Sequence, residues 1–195
     1  PQVNTRIVNV LEPGVAGPNG EGEFYPCEWQ HVRPGMVVRV NDREEIPADV
    51  IPLMSSEDGH KCYIETANID GETNLKLKNC AKTGGGADVP VKWGSVGELA
   101  LTEGLSAEYE PPNPAIHAFT GTLHLKGEPD VALGKNEFLL RGAVLRSTKW
   151  MLGLVVYTGK DSKLVLNARE TPSKLSTVEA MMNNLILFIF ICDCS

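Results

Sequence analysis

Short stretches in which apolar and polar residues alternate recur along this chain, and Gly, Pro, Asn or Asp bounds most of them. Alternation with a period of two is typical of a half-buried β-strand, because successive side chains of a strand point to opposite faces. The pattern predicts strands at residues 6–11, 36–40, 50–54, 62–66 and 119–126. A second β-rich region, 138–157, predicts buried strands rather than one helix, because Gly142 and Gly153 interrupt it.

Prolines and short helical stretches complete this prediction. Pro47 and Pro52 lie before and within the predicted strand 50–54. Each removes a backbone donor, which favours an edge strand or a bulge at that place. Before residue 176, helices are predicted only at 95–102 and 160–168. Many short strands separated by turns indicate a mainly β fold, either a sandwich or a jelly roll.

The last twenty residues have a different pattern. Residues 176–179, Ser-Thr-Val-Glu, form a capping box, and residues 185–191 are a continuous apolar run. A run of this length cannot span a bilayer, which needs about 20 residues. Two interpretations are therefore open: a short core helix, or the beginning of a membrane helix whose remainder is missing.

Composition excludes several classes of function. The chain has 195 residues and a net charge of -7, and its 18 Lys and Arg are scattered, which argues against a nucleic-acid partner. Five cysteines at irregular spacing, with no Cys-x-x-Cys, make a disulfide framework unexpected. The four histidines do not cluster with cysteines or carboxylates at ligand spacing, so no metal site is predicted.

The candidate chemistry lies in the stretch after the predicted strand 62–66. Asp70 and Gly71 form a turn signal, and the next residue, Glu72, is a carboxylate at the apex of the loop. Gly71 allows another group to approach the backbone closely, while Thr73 and Asn74 offer polar side chains that can orient the glutamate or a water. Taken alone, Asp-Gly-Glu-Thr is more often an ordinary hairpin turn with a solvated glutamate.

Longer sequence blocks resemble one family. Residues 64–76, IETANIDGETNLK, resemble the signature loop of the actuator domain in type IV P-type ATPases, the phospholipid flippases. Three further blocks resemble that domain in the same order: VRPGMVVRVNDREEIPADVIPL at 32–53, PPNPAIHAFTGTL at 111–123 and LLRGAVLRSTKWMLGLVVYTGKDSKL at 139–164. Together these blocks cover most of the chain.

The resemblance implies a fold, two regions and a residue role. It implies that residues 1–175 form the actuator domain, a distorted jelly roll with short helices. Residues 176–195 would then be a linker and the truncated start of the family's third membrane helix. In such enzymes the glutamate of this loop positions the water that hydrolyses an aspartyl-phosphate on a separate domain, and here that residue is Glu72. Asp70, Gly71, Thr73 and Asn74 would hold the geometry of the loop.

The resemblance also implies cofactors, partners and a location. The chain has neither Asp-Lys-Thr-Gly nor a phosphate-cradling Gly-x-x-x-x-Gly-Lys-Ser/Thr loop, so nucleotide binding and phosphorylation are expected elsewhere. No cofactor is expected in this fragment, whereas ATP and Mg²⁺ are expected for the full-length enzyme. The implied partners are the phosphorylation and nucleotide-binding domains of the same polypeptide, a membrane phospholipid and an accessory β-subunit. The domain would lie on the cytosolic side of a membrane.

Two alternative functions are open. The first is the actuator domain of an ion-transporting P-type ATPase, although those enzymes typically carry Thr-Gly-Glu-Ser, so Asp70 and Thr73 argue against it. The second is a β-sandwich interaction module with no catalytic role. A parent sequence that continues through a membrane segment to Asp-Lys-Thr-Gly would exclude the module.

Overall fold

The structure is a computed structural model that describes residues 4–81 and 93–170. Within them the chain forms short antiparallel strands and three short helices, α1 (Ala67–Asp70), α2 (Val96–Leu101) and α3 (Lys163–Glu170). The strands are β1 (Ile7–Leu11), β2 (Phe24–Glu28), β3 (Val37–Asn41), β4 (Asp49–Ser55), β5 (Lys61–Glu65), β6 (Lys76–Asn79), β7 (Ser106–Tyr109), β8 (Gly121–His124), β9 (Val131–Leu133), β10 (Val144–Arg146) and β11 (Trp150–Tyr157). The prediction of a mainly β fold with short helices is confirmed.

The strands form three sheets. The largest has five strands in the order β2-β1-β3-β11-β4, and the two smaller sheets have the orders β10-β5-β6 and β7-β8-β9. Every pairing in them is antiparallel. Strand β11, the longest, lies between β3 and β4, and its residues from Met151 to Tyr157 are all buried.

Alternate side chains of β11 enter two different cores. Leu152, Leu154 and Val156 pack with residues of the β7-β8-β9 sheet, whereas Met151 and Val155 pack with residues of the β10-β5-β6 sheet. The five-stranded sheet is therefore the middle layer of the fold. A strand that is covered on both faces needs no polar face, which is why the sequence 151–157 is almost wholly apolar.

The proline signal at β4 is confirmed. Strand β4 is an edge of the five-stranded sheet, and its pairing with β11 shifts register between Leu152 and Gly153, opposite Pro52. A Cβ on Gly153 would lie 2.8 Å from Cγ2 of Val50, so a glycine is required where the two strands approach. The irregularity thus follows from residues on both strands.

The remaining predictions differ from the structure in detail. The alternating stretches form β1, β3, β4, β5 and β8 with ends that differ by up to two residues, and region 138–157 contains β10 and β11. The predicted helices correspond to α2, which Ser95 caps by accepting a hydrogen bond from the Glu98 amide, and to α3. Strands β2, β6, β7 and β9 were not predicted; β2 carries Pro26 at a sheet edge, and β9 has only three residues.

The C-terminal predictions, the capping box and the apolar run within 176–195, lie outside the described residues. In the ranges 4–81 and 93–170, no helix has both the length and the apolar character needed to cross a membrane.

A buried lysine ties the end of the domain to its middle. Lys163 is completely buried; its Nζ donates to Oε1 of Glu110 at 2.8 Å and to Oδ1 of Asn113 at 2.6 Å. The same ammonium lies 5.9 Å and 5.8 Å from the ring centroids of Phe138 and Tyr157. Two acceptors and two aromatic faces therefore compensate the loss of hydration of this cation.

The backbone at Lys163 is fixed as well. Asp49, which is also fully buried, accepts the amide of Lys163 through Oδ2 and the amide of Arg141 through Oδ1, both at 2.7 Å. One carboxylate on β4 therefore holds the start of α3 and the turn before β10.

Replacing Lys163 with Met should destabilise the domain by about 2–3 kcal/mol, because Glu110 loses its buried cation while methionine keeps the apolar stem. The loss is below that of a fully buried pair, since the Glu110 side chain is 27% exposed and regains water. Chemical denaturation of the 195-residue chain measures it. The control, Lys160→Met, changes an exposed lysine, and an equal loss in both variants would contradict a structural role for the buried contacts.

Candidate functional site

The connection between β5 and β6, residues 66–75, is the main part of the signature loop, residues 64–76. It begins with one helical turn, α1, which the sequence pattern did not predict because four residues are too few for a helical period. Gly71 ends this turn in the left-handed conformation, with φ of 78°, and its amide donates to the carbonyl of Ala67 at 3.2 Å. A Cβ at Gly71 would meet nothing within 4 Å, so the glycine is needed for its backbone conformation and leaves open space around it.

Asp70 is the centre of the loop. Its Oδ1 accepts hydrogen bonds from the Thr66 hydroxyl at 2.8 Å and from the Glu72 amide at 3.0 Å. Its Oδ2 accepts from Nζ of Lys76 at 2.6 Å. The hydrogen bond from Lys76 is the main reason why the pKa of Asp70 falls to about 2. The aspartate is therefore ionised at any physiological pH and fixes three parts of the loop at once.

Glu72 projects from the loop beside Asp70. Its side chain is 59% exposed, and Oε2 lies 2.8 Å from Nζ of Lys76. The Asp70 carboxylate fixes the backbone of Glu72, and Lys76 contacts one of its two carboxylate oxygens. The other oxygen, Oε1, has no hydrogen bond within the described part of the chain. The backbone of Glu72 is therefore fixed, while one oxygen of its carboxylate is available as a hydrogen-bond acceptor.

Lys76 is the residue of this site that the sequence pattern did not reveal. Its ammonium contacts both Asp70 and Glu72, and these hydrogen bonds raise its pKa above that of an ordinary lysine. The available signal was the spacing of four residues between Glu72 and Lys76, but that spacing implies a contact only in a helix. Here both residues are instead held by Asp70, which accepts the Glu72 amide and contacts the Lys76 ammonium.

Thr73 and Asn74 lie in the exposed part of the loop. Neither side chain makes a hydrogen bond to another residue in the ranges that the structure describes. Their role in holding the loop stays a prediction.

A groove of about 350 Å³ lies beside the signature loop. Asp70 and Lys76 belong to both the loop and the groove. Apolar residues from β5, α1 and the segment before β10 contribute to its wall, and lysines from β6 and from residue 135 contribute its charge. The lining residues are Ile64, Thr66, Ile69, Asp70, Lys76, Lys78, Ile116, His117, Ala118, Lys135, Asn136, Phe138 and Leu140.

One histidine has carboxylate neighbours that its sequence spacing did not indicate. Nδ1 of His124 lies 2.7 Å from Oδ1 of Asp130, and Nε2 lies 3.8 Å from Oε2 of Glu108. The hydrogen bond to Asp130 raises the pKa of His124. Across residues 4–81 and 93–170, no three His, Cys, Asp or Glu side chains are placed to hold a metal ion.

The chain is similar to phospholipid-transporting ATPases. It is 40% identical over 169 residues to phospholipid-transporting ATPase DRS2 of Saccharomyces cerevisiae, a match that covers 86% of this chain and 12% of that protein. It is 38% identical over 197 residues to probable phospholipid-transporting ATPase 12 of Arabidopsis thaliana, covering 97% of this chain and 15% of the relative. Phospholipid-transporting ATPase ID of Homo sapiens is 37% identical over 191 residues, covering 97% and 14%. The chain thus spans about one seventh of the length of these curated relatives.

Two other comparisons add less. No protein-family model matches the chain. Among solved structures, it is similar to two crystal structures of a zinc-transporting PIB-type ATPase in different states. One gives 12% identity, a TM-score of 0.43 and coverage of 82% of this chain and 15% of that one. The other gives 12% identity, a TM-score of 0.45 and coverage of 84% and 16%. Likenesses with TM-scores this low carry no argument about function.

Replacing Asp70 with Asn should loosen the loop in a pH-dependent way. The folded-state pKa of Asp70, about 2, lies below its ordinary value of 3.8, so its contribution to stability is present above about pH 4. That contribution disappears as the pH falls toward 2. The stability difference between wild type and Asp70→Asn should therefore be below about 1 kcal/mol at neutral pH and close to zero at about pH 2.

Denaturation at a series of pH values measures this difference, and amide exchange at Glu72 should quicken in the variant. Asp58→Asn, at an exposed aspartate in another loop, is the matched control. A difference that stays constant with pH would contradict the Asp70–Lys76 pairing.

Proposed function

The chain belongs to the phospholipid-transporting ATPase family, and from this membership we propose that it forms the actuator domain of such an ATPase. The observation that carries the proposal is the geometry of the signature loop. An exposed carboxylate, Glu72, stands next to an unobstructed glycine, and an ionised aspartate fixes its backbone. A loop of this kind suits the positioning of a water against an electrophile that another domain presents.

The proposed reaction is hydrolysis of an aspartyl-phosphate on a separate domain. The water oxygen forms a bond to phosphorus while the bond from phosphorus to the aspartyl oxygen breaks, releasing inorganic phosphate and the free aspartate. Glu72 accepts a hydrogen bond from the water and thereby directs a lone pair of the water oxygen at phosphorus. Gly71 leaves room for the phosphoryl group. Positioning of this kind is most of what phosphoryl transfer requires from protein groups.

Lys76 sets which oxygen of Glu72 is available to orient the water. Because the ammonium contacts Oε2, it restricts the side chain of Glu72. The free Oε1 is then the acceptor for water. Asp70 acts as a positioning residue, since it holds both Lys76 and the Glu72 amide and need not contact the phosphoryl group. Thr73 and Asn74 complete the proposed loop.

The rest of the proposal concerns the whole ATPase. Residues 1–175 form the actuator domain, and residues 176–195 are the linker and the start of a membrane helix. ATP and Mg²⁺ act on the phosphorylation and nucleotide-binding domains of the same polypeptide, and the actuator transmits dephosphorylation to the movement of a phospholipid. The complete protein lies in a membrane with this domain on the cytosolic side, and an accessory β-subunit is its further partner. Asp70 and Thr73, where ion pumps typically carry Thr and Ser, favour a lipid over an ion as the substrate.

In the complete ATPase that carries this segment, Glu72→Gln should slow hydrolysis of the phosphoenzyme by about 10²–10⁴-fold, the range for loss of a positioned acid-base group. The amide keeps the size of the side chain but loses the charge that orients water. Phosphorylation by ATP should be unchanged. Decay of the radiolabelled phosphoenzyme in a pulse-chase experiment measures both steps.

The matched control is Glu128→Gln, at an exposed glutamate on another face of the domain that makes no ion pair in the described residues. Phosphoenzyme decay in Glu72→Gln at the rate of this control would exclude the proposed role.

The 195-residue chain alone should neither hydrolyse ATP nor form an acid-stable phosphoenzyme. Glu72 orients water but supplies no electrophile, and the chain contains no Asp-Lys-Thr-Gly. A phosphate-release assay and acid precipitation after incubation with labelled Mg-ATP test this. Turnover that Glu72→Gln abolishes would require a complete active site within this chain and would overturn the actuator proposal.

A further inference from the structure

Strand β6 places its lysines on the inner face of its sheet and a leucine on the outer face. In the pairing with β5, Lys76 lies opposite Ile64 and Lys78 lies opposite Cys62. Residues directly opposite in an antiparallel pair share a face, and both β5 partners are buried, so the two lysines occupy the inner face. Leu77, on the outer face, is 48% exposed. This strand therefore directs lysines to the side where its neighbours place core residues.

The inner lysines face the groove beside the signature loop. Lys78 is partly buried, and its Nζ donates to the carbonyl of Lys135 at 2.6 Å. It forms no ion pair with a carboxylate in the part of the chain that the structure describes. Burial is the main cause that lowers the pKa of Lys78; the Glu137 carboxylate opposes this shift without contacting the lysine, and the ammonium groups of Lys76 and Lys135 add to it. A partly buried cation without an anionic partner costs free energy unless something else supplies the charge.

The balance of charge in the groove is positive, although the chain as a whole is negative. Three lysines, Lys76, Lys78 and Lys135, line it, and Asp70 is its one acidic lining residue among those that the structure describes. Glu72 contacts Lys76 at its margin, so the excess of positive charge lies at Lys78 and Lys135. The net charge of the chain is -7. The volume of the groove, about 350 Å³, lies within the range of small-molecule pockets. The groove is thus a local cationic site of ligand size.

Protection of a sheet edge does not explain these lysines. Strand β6 is an edge strand, and lysines on edge strands discourage pairing with other chains. Such a lysine needs only to be solvated, however, and Lys78 is instead partly buried and held against a carbonyl. The position of Lys78 is therefore better suited to binding a ligand in the groove than to preventing the edge strand from pairing with another chain.

We propose that this groove binds a phosphate-class anion, either inorganic phosphate or the phosphate group of a small phosphomonoester. Lysines act on phosphate as separate point charges, and a tetrahedral anion accepts from several of them at once. No arginine of the described residues lines the groove, so the lysine ammonium groups are its cationic donors. The apolar residues beside the lysines, such as Ile64 and Ile69, offer a surface to the organic part of a phosphomonoester.

The anion site and the proposed hydrolytic role of Glu72 share Lys76, but they are tested separately. The anion site uses the charge of β6 and residue 135, whereas the hydrolytic role uses the exposed tip of the signature loop. Binding is tested on this chain alone, without any phosphoenzyme. Failure of one proposal therefore leaves the other standing.

The experiment titrates the 195-residue chain with inorganic phosphate and with phenyl phosphate, at constant ionic strength and at about pH 7.5, where both are mostly dianions. Calorimetry and amide chemical shifts report binding. We expect saturable binding with a Kd on the order of 1 mM or below, and shifts at residues of β6. Tighter binding of phenyl phosphate identifies an organic phosphate as the ligand class, and equal or weaker binding identifies inorganic phosphate.

Two variants and one control test the site. Lys78→Met keeps the apolar stem and should weaken binding about tenfold or more, as expected for the loss of a charged hydrogen bond. Lys135→Met, at an exposed residue, should also weaken binding and carries the test if Lys78→Met does not fold. Lys61→Met changes a lysine of the neighbouring strand that points to the opposite face, and should leave the Kd within about twofold.

Three results would overturn the proposal. The first is the absence of saturable binding of either anion. The second is equal weakening by Lys61→Met, which would indicate attraction to charge in general. The third is unchanged affinity in a folded Lys78→Met or Lys135→Met protein.

Discussion

The whole fold depends on a strand that is buried on both of its faces. β11 lies between β3 and β4 in the five-stranded sheet, and its alternate side chains enter the two cores. Each fully buried aliphatic side chain contributes about 1.5–3 kcal/mol, so this strand is among the largest sources of stability. The small sheets pack against opposite sides of the layer that it holds. The sheet that carries the signature loop is therefore positioned by the core and not by the contacts of the loop itself.

This arrangement gives the signature loop a rigid base and an exposed tip. Cys62 and Ile64 anchor β5 in the core, and the chain leaves the protein interior after Thr66, which is still buried. Beyond that point Asp70 replaces packing as the organising contact, since one ionised carboxylate holds a hydroxyl, an amide and an ammonium. The location of Glu72 is consequently fixed through its backbone and through Lys76, while its own carboxylate stays accessible.

Much of the fold was predictable from the sequence, because alternation and apolar runs report burial directly. The buried strand β11, the edge position of β4 and the helix at Ser95 all followed from local signals. The contacts of the site did not. Asp70 and Lys76 meet in a loop in which Gly71 adopts a left-handed conformation, and His124 meets Asp130 through a turn that alternation does not describe. For β6, the sequence Lys-Leu-Lys-Asn indicates two different faces, but only the register with β5 decides which face is inner.

Because β6 places its lysines on the inner face, Lys76 contacts the carboxylates of the signature loop and also lines the groove. Lys76 faces the groove, yet its ammonium contacts Asp70 and Glu72. One ammonium has three donors, and every donor given to an anion in the groove is withdrawn from these two carboxylates. An anion there would weaken the hold of Lys76 on Glu72, and an ordered Glu72 would weaken the hold on the anion, because coupling between two binding events is reciprocal. The position of the carboxylate that is proposed to aim water thus depends on what occupies the neighbouring groove.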